Sequence, residues 1–535
     1  MINLLPDFIA NNRVHEPDET ALVFKDQVMS YRDLDDAVTA AARGFLALGL
    51  GRGERVAVFL PKQMETVVAI FGASRAGGVF VPVNPALKAR QVAYILKDCN
   101  VRILVTSSDR LRGLVEDLRD CPDLRHVILV DSGDAEAQAG RTLHHWTDLV
   151  TTGSESDAPF HRVIDADMTA ILYTSGSTGL PKGVVLSHRN MVAGAQSVAS
   201  YLENSADDVI LSVLPLSFDA GLSQLTTAFS AGARVVLMNY LLPRDVIRAV
   251  ARHKITGLTC VPPLWVQLAD LEWPEEARMS LRYVASTGGR MPKPVVQKLR
   301  DQLPDTQVIV MYGLTEAFRS TYLPHDEWEK RPDSMGKAIP NAEIMVVREN
   351  GEPCAPGEVG ELVHRGALVA MGYWNDPERT AERFRPAPGQ PAGIPVPEIA
   401  VWSGDRVRKD EDGYLYFVGR KDEMIKTSGY RVSPTELEET LYASGLVGEA
   451  VALGVDDMEL GQAIVVVVTP KPGKTLDPAE ITAHCRRELP SFMVPHHVIG
   501  WQSLPRNPNG KLDRKAIGDE IRAQFADAGA KAKAG

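Results

Sequence analysis

YTSGSTGLPKG (173–183) decides how this chain is read. It follows an apolar run, TAILYT (169–174), and leads into a second, VVLS (184–187). Its glycines let backbone N–H groups turn toward one point. Three hydroxyls, on Ser175, Ser177 and Thr178, add donors, and Lys182 adds a positive charge. A polyphosphate needs this set from a protein. The segment is not a Walker A loop, which requires Gly directly before the Lys, because Pro181 stands there. Nor is it a dinucleotide fingerprint, since Gly176 and Gly179 supply G-x-x-G without the leading G-x-G. The plain alternative is a Ser/Gly connection between two strands, but loops this rich in donors commonly carry function.

Outward from this segment the chain alternates short apolar runs with longer amphipathic ones. RVAVFL (55–60) precedes a helical pattern, METVVAIFGASRAG, and then VFVPV (79–83). RILVTS (102–107), HVILV (126–130), DVILSVLP (208–215), ARVVLM (233–238), LTCVP (258–262), RYVAST (282–287) and QVIVMYG (307–313) continue the rhythm. Strands rich in Val and Ile, spaced by helices, predict an α/β protein of parallel-rich sheets covered by helices. After about 335 the short strands are separated by Gly, Pro and Asn turns, as in a small antiparallel β unit. PAPGQPAGIPVPE (386–398) reads as an exposed loop. From about 422 a last, small α+β unit begins, with Ser433 and Glu436 set for a capping box and strands at 449–455 and 463–469. The closing residues, DAGAKAKAG, read as a disordered tail. No internal repeat is visible.

At 535 residues the chain exceeds one ordinary domain, and 44% hydrophobic against 24% charged residues excludes a disordered or collagen-like chain. Its 58 Lys and Arg against 69 Asp and Glu leave a net charge of −11, which argues against a nucleic-acid binder. Cys99, Cys121, Cys260, Cys354 and Cys485 are widely spaced, with no C-x-x-C pair, and read as reduced thiols. MINLLPDFIANNR lacks the features of a signal peptide; Leu4, Leu5, Phe8 and Ile9 suit one face of a short helix. No stretch reaches the 18 apolar residues of a membrane span. The expected location is the cytoplasm.

YTSGSTGLPKGVVLSH resembles the signature of the AMP-forming adenylate enzymes, which include acyl-CoA synthetases, adenylation domains of nonribosomal peptide synthetases, and luciferases. MYGLTEA (311–317), SGDRVRKDEDGYLYFVGRKDEMIKTSGYRV (403–432) and PRNPNGKLDRK (505–515) match further family motifs in the family's order. The resemblance spans nearly the whole chain. It implies an AMP-binding domain over 1–421 with a small β subdomain at about 335–421, a mobile C-terminal domain over 422–520, and a tail over 521–535. It also implies the chemistry: ATP converts a carboxylic acid to an acyl-adenylate, and the acyl group passes to the thiol of coenzyme A or of a carrier protein's phosphopantetheine. No carrier domain is visible, so any carrier would be a separate chain.

Carried over residue by residue, the resemblance assigns Thr174, Ser175, Gly176, Ser177, Thr178, Gly179 and Lys182 to the ATP phosphates. Thr315 would bond the α-phosphate. Glu316 would ligate Mg²⁺, a hard cation suited to carboxylate oxygen. Tyr312 would stack on adenine beside the backbone of Gly288, Gly289 and Arg290. Asp405 would accept both ribose hydroxyls, and Arg420 would reach ribose or phosphate. Lys511 would stabilise charge developing between carboxylate and α-phosphate. Asp422 matches the family's hinge. Rotation there would withdraw Lys511 and bring in the stretch 426–431, with Lys426 and Gly429, for the thioester step. His188, within the signature, reads as structural.

The acid pocket departs from common acyl-CoA synthetases, which carry P-L-F-H-x-x-G where this chain has PLSFDAG (215–221). Phe218 and Asp219 resemble the F-D pair of amino-acid-activating domains, in which the Asp binds the α-amino group. A carboxylate in an apolar pocket is costly unless a cation pairs with it. Asp219 therefore either meets a substrate ammonium or serves as a helix N-cap. The remaining pocket positions are Ser223, Leu264, Ala285, Thr287, Met311, Arg319 and Ser320. Arg319 either binds a second carboxylate or points to solvent. The pattern also resembles a subfamily of acyl-CoA ligases associated with bacterial exosortase loci, which names no substrate. Two alternatives stand beside the acid–thiol ligase: an adenylate former with another acceptor, as in fatty acyl-AMP ligases, and a non-catalytic binding paralogue.

Overall fold

Runs of Val, Ile and Leu that bury both faces build the strands of two large sheets. The computed structural model describes residues 2–133, 141–174, 181–289, 291, 293–391, 393–420, 424–471, 475–505 and 512–532. In the first sheet six parallel strands lie in the order Gln307–Tyr312, Tyr283–Ser286, Gly257–Cys260, Val209–Ser212, Arg234–Leu237 and Thr20–Phe24. The second sheet runs Gly372–Tyr373, Lys182–Ser187, Met168–Thr174, Val79–Pro82, Arg55–Val58, Val101–Thr106, His126–Leu129 and Thr142–His145. The helix Met64–Arg75 is buried from Thr66 through Ser74, as befits a helix that is apolar nearly all round. The core packs Leu22, Val235 and Phe229 of the first layer with Val56, Val58 and Phe80 of the second.

The antiparallel strands after residue 333 do not form a sheet of their own. Beyond Gln307–Tyr312 and its antiparallel neighbour Thr321–Leu323, they continue the first sheet in the order Ser334–Ala338, Leu415–Arg420, Ile399–Lys409, Val359–Gly366 and Ala342–Val347. Ser334–Ala338 makes the join, pairing with Thr321–Leu323 on one side and Leu415–Arg420 on the other. Gly336 permits it: its φ is +90°, and a Cβ there would stand 1.8 Å from the Tyr322 carbonyl oxygen.

The larger unit comprises Met1–Thr174, Lys182–Cys260 and Leu268–Lys421, and the smaller is built mainly from the chain beyond it. In the smaller unit, Val447–Asp457 and Gly461–Pro470 pair along their length, and Ile425–Thr427, Tyr430–Val432 and His497–Gly500 complete a five-stranded sheet. Ile464, Val466 and Val468 face one core with Leu437 and Cys485, while Val465 and Val467 face another with Ile517 and Ile521. That explains the unbroken apolar run at 463–468. Ser433 accepts the N–H of Glu436 at the start of Pro434–Ser444. Two expectations need correction. The stretch 521–532 is not a disordered tail but continues the helix Arg514–Ala532, whose sequence is rich in Ala and other good helix formers. The N-terminal helix begins only at Asp7, although Leu5, Phe8 and Ile9 are buried as the pattern anticipates. Among the described residues no helix is long and apolar enough to cross a membrane.

Two glycines test this packing in opposite directions. A Cβ on Gly221 would stand 1.9 Å from the Pro215 carbonyl oxygen, so Gly221→Ala is expected to lower stability by about 1–3 kcal/mol. Gly113, inside Ser108–Leu114, has open space around it, so Gly113→Ala is expected to raise stability by about 0.4–1 kcal/mol. Urea midpoints at unchanged m-value check both.

Candidate active site

The carboxyl ends of the parallel strands converge, as ligand sites in open α/β sheets do. Tyr283–Ser286 leads to Thr287, Gly288 and Gly289, and the neighbouring Gln307–Tyr312 leads to the short turn Thr315–Ala317. Gly288 has φ +83°. In the second sheet Met168–Thr174 and Lys182–Ser187 pair antiparallel with Thr174 opposite Lys182. Ser175, Gly176, Ser177, Thr178 and Gly179, which the sequence assigns to the phosphates, lie outside the described residues.

Lys182 and Glu316 meet although 134 residues separate them: Lys182 Nζ is 3.0 Å from Glu316 Oε1. Tyr373 closes the triangle, its hydroxyl donating to Glu316 Oε1 at 2.6 Å and standing 2.7 Å from Lys182 Nζ. The ammonium also lies 4.1 Å from the Tyr373 ring centroid. Burial alone would raise the Glu316 carboxyl, but the Lys182 charge and the bonds from Tyr373 and Lys182 outweigh it and hold the group at about 2. Sequence reading missed Tyr373. Its placement depends on the pairing of Gly372–Tyr373 with Lys182–Ser187, which nothing in the local sequence announces.

Two atoms here are buried without a hydrogen-bond partner among the described residues, Glu316 Oε2 and Thr174 Oγ1. An orphaned carboxylate oxygen beside a lysine suits a hard divalent cation bound together with a polyphosphate. Among the described residues no group of three or more His, Cys, Asp or Glu forms a cation cage, so Mg²⁺ would need ligands from the nucleotide itself. The residues present fit such an ion.

Tyr312 and Asp405, 93 residues apart, are joined by a hydrogen bond from the Tyr312 hydroxyl to Asp405 Oδ2. Asp405 is buried, and its backbone N–H donates to Ser403 Oγ at 3.1 Å. Arg420 lies opposite Asp405 in the pairing of Ile399–Lys409 with Leu415–Arg420. Arg290, Asp422 and Lys511 lie outside the described residues. In the smaller unit Lys426 is on Ile425–Thr427, and Gly429, with φ +81°, is in the tight turn before Tyr430–Val432.

Asp219 and Arg319 correct two expectations. Asp219 is not the N-cap but the first residue of the helix Asp219–Ala231, whose N-cap is Phe218. Arg319 does not point to solvent: its side chain is 2% exposed, and its Nη1 donates to Asp219 Oδ2 at 2.7 Å and to the Phe318 carbonyl at 2.7 Å. A tight turn aims Arg319 inward. Phe318 has φ +60° and ψ −67°, and the Arg319 N–H donates to Ala317 O at 2.7 Å, a strained γ-turn. Gly313 leaves room for it, since a Cβ there would lie 2.9 Å from Arg319 Cα. Thr315 Oγ1 is 3.5 Å from Asp219 Oδ1, so the residue expected at the α-phosphate adjoins this pair.

The other pocket positions divide. Ala285 and Thr287 are buried at the end of one strand, and the Met311 sulfur, at the end of the next, accepts from the hydroxyl of buried Tyr201 at 2.9 Å. Ser223 bonds Thr227 within its own helix at 3.3 Å. Ser320 is engaged elsewhere, 2.9 Å from Nδ1 of the buried His364. Leu264 lies on Pro262–Ala269, in the stretch that groups with the smaller unit. His188 is structural, its Nδ1 accepting the Leu5 N–H at 3.1 Å, with burial lowering its pKa to about 4.

A model of the AMP-binding enzyme family matches residues 9–374, and one of the AMP-binding enzyme C-terminal domain matches 436–511. Tyrocidine synthase 2 of Brevibacillus parabrevis is 31% identical over 94% of this chain, which spans only 13% of that protein's length. A long-chain-fatty-acid–CoA ligase of Salmonella typhimurium is 30% identical over 95% of this chain and 92% of its own. The structure of a double mutant of o-succinylbenzoate CoA synthetase from Bacillus subtilis superposes with TM-score 0.80 at 25% identity, covering 96% of this chain and 98% of that one.

Lys182→Met should strand the buried Glu316 carboxylate and lower stability by about 3–5 kcal/mol, while Lys182→Met/Glu316→Gln should recover most of the loss. The pH dependence has a definite sign. Because folding depresses the Glu316 pKa from 4.5 to about 2, its stabilisation is present above about pH 4.5 and lost as pH falls toward 2. Urea midpoints at pH 5 and pH 3 should therefore fall more in the wild type than in the double variant.

Proposed function

The chain belongs to the AMP-binding enzyme family, and from that premise we propose that it activates a carboxylic acid with ATP and passes the acyl group to a thiol. The observation that carries this reading is the Lys182–Glu316–Tyr373 cluster, with its unpartnered carboxylate oxygen, linked to the Tyr312–Asp405 pair through the end of Gln307–Tyr312, which Glu316 follows. The first group suits a metal-bound polyphosphate and the second a nucleoside.

In the first half-reaction the substrate carboxylate oxygen attacks the α-phosphorus, the bond to the β-phosphate oxygen breaks, and pyrophosphate leaves. Lys182 and loop 175–179 hold the β- and γ-phosphates, and Thr315 bonds the α-phosphate. Asp405 accepts the ribose hydroxyls, a role that only an acceptor can fill. Tyr312 flanks adenine with Gly288, Gly289 and Arg290, and Arg420 reaches the ribose or phosphate. Glu316 Oε2 would hold Mg²⁺, which neutralises phosphate charge when bound. Lys511 stabilises the charge that develops between carboxylate and α-phosphate.

In the second half-reaction a thiolate attacks the acyl carbon and AMP leaves. Asp422 is the hinge that removes Lys511 and delivers the stretch 426–431. Coenzyme A, or phosphopantetheine on a separate carrier protein, supplies the thiol. Coenzyme A has the support of the Salmonella and Bacillus relatives, both named for it. A cytoplasmic location accords with these substrates. Pyrophosphate release, screened over amino, dicarboxylic and fatty acids with and without coenzyme A, tests the reading; no release with any acid would refute it.

Two variants separate the half-reactions. Lys511→Ala should slow adenylate formation by at least about 100-fold, and thioester formation from supplied acyl-adenylate should survive. Asp422→Pro, which fixes φ near about −65°, should leave adenylation intact and block thioester formation. Equal loss of both half-reactions in Lys511→Ala, or normal turnover in Asp422→Pro, would contradict this division.

A further inference from the structure

We propose that Arg319 is a built-in counter-cation for Asp219 and that the pocket therefore selects carboxylic acids carrying no α-ammonium group. The inference rests on the adenylation reading above and concerns its substrate class. An aspartate in this pocket invites an ammonium only while it lacks a partner. Here Oδ2 already accepts from Arg319 at 2.7 Å, and Oδ1 lies 3.5 Å from Thr315 Oγ1. What the pair leaves unsatisfied is a donor: Arg319 Nε is buried without a hydrogen-bond partner. The guanidinium behind the carboxylate cancels its charge, so a ligand reaching the pair meets no net negative charge that could hold an ammonium.

Arg319 is not a mobile side chain that a ligand could readily push aside. Its side chain is 2% exposed against 17% for Asp219, its Nη1 is also tied to Phe318 O, and it leaves the backbone at the strained Phe318 turn. An entering amino acid would have to break a buried ion pair and leave the guanidinium stranded.

The test is kcat/KM for ATP–pyrophosphate exchange with matched acids, such as hexanoate against norleucine and 3-phenylpropionate against phenylalanine. The wild type should favour the des-amino acid by about 10–100-fold. Arg319→Met, which frees the Asp219 carboxylate, should swing the ratio at least about tenfold toward the amino acid. The charge-balanced Asp219→Asn/Arg319→Met, which removes both attraction and repulsion, should bring the ratio near unity. It also decides the matter should Arg319→Met fail to fold. A wild type that prefers the amino acid, or a ratio unmoved in an active variant, overturns the inference and leaves adenylation standing. Exchange with no acid of either kind would instead bring down the adenylation reading and this inference with it.

Discussion

The contact between Lys182 and Glu316 joins two sheets that share no strand pairing among the described residues. Lys182 opens a strand of the second sheet, and Glu316 follows the last parallel strand of the first. Glu316 is buried and Lys182 only partly exposed, so the carboxylate is not tolerable without the lysine. The site's geometry inherits that demand. Tyr373 adds a third point of attachment, because the chain leaves the first sheet after Val359–Gly366 and pairs with the second at Gly372–Tyr373. The Ala370 N–H, donating to Glu316 O at 2.9 Å, pins the crossing segment to the same residue.

Much of the fold was legible because its causes are local. Alternation of Val/Ile runs with amphipathic stretches marks parallel strands and helices wherever both sheet faces are covered. The apolar run at 463–468 reads correctly as a strand for that reason. The antiparallel strands after 333 read as a separate unit because sequence shows turns but not partners. Only the pairing of Ser334–Ala338 with strands on both sides makes them part of the first sheet.

The candidate site divides along the same line. Motif residues such as Lys182, Glu316, Tyr312 and Asp405 could be named from sequence, and the structure brings them together in pairs. Tyr373 and the pairing of Arg319 with Asp219 could not, since Tyr373 falls in none of the motifs and only the turn at Phe318 brings Arg319 to Asp219. Arg319 shows where residue type runs out: an arginine after Phe reads either as a carboxylate ligand or as a solvent-exposed cation until the backbone turns it inward. The turn costs about 1–3 kcal/mol of strain. Its surroundings hold it, with Gly194 leaving space for the Phe318 ring as Gly313 does for Arg319.

The valine-rich strand Gly461–Pro470 has a consequence for the protein's life before it is finished. Uncharged, β-branched and free of Pro until its last residue, it has the composition of segments that stack into amyloid. The folded unit hides it by pairing it with Val447–Asp457 along one edge and with Ile425–Thr427 and His497–Gly500 along the other. His497–Gly500 is synthesised last of these. While the ribosome makes the intervening residues, one edge of the valine run has no permanent cover. That interval is when a chaperone has most to protect, and truncation before residue 497 would make it permanent.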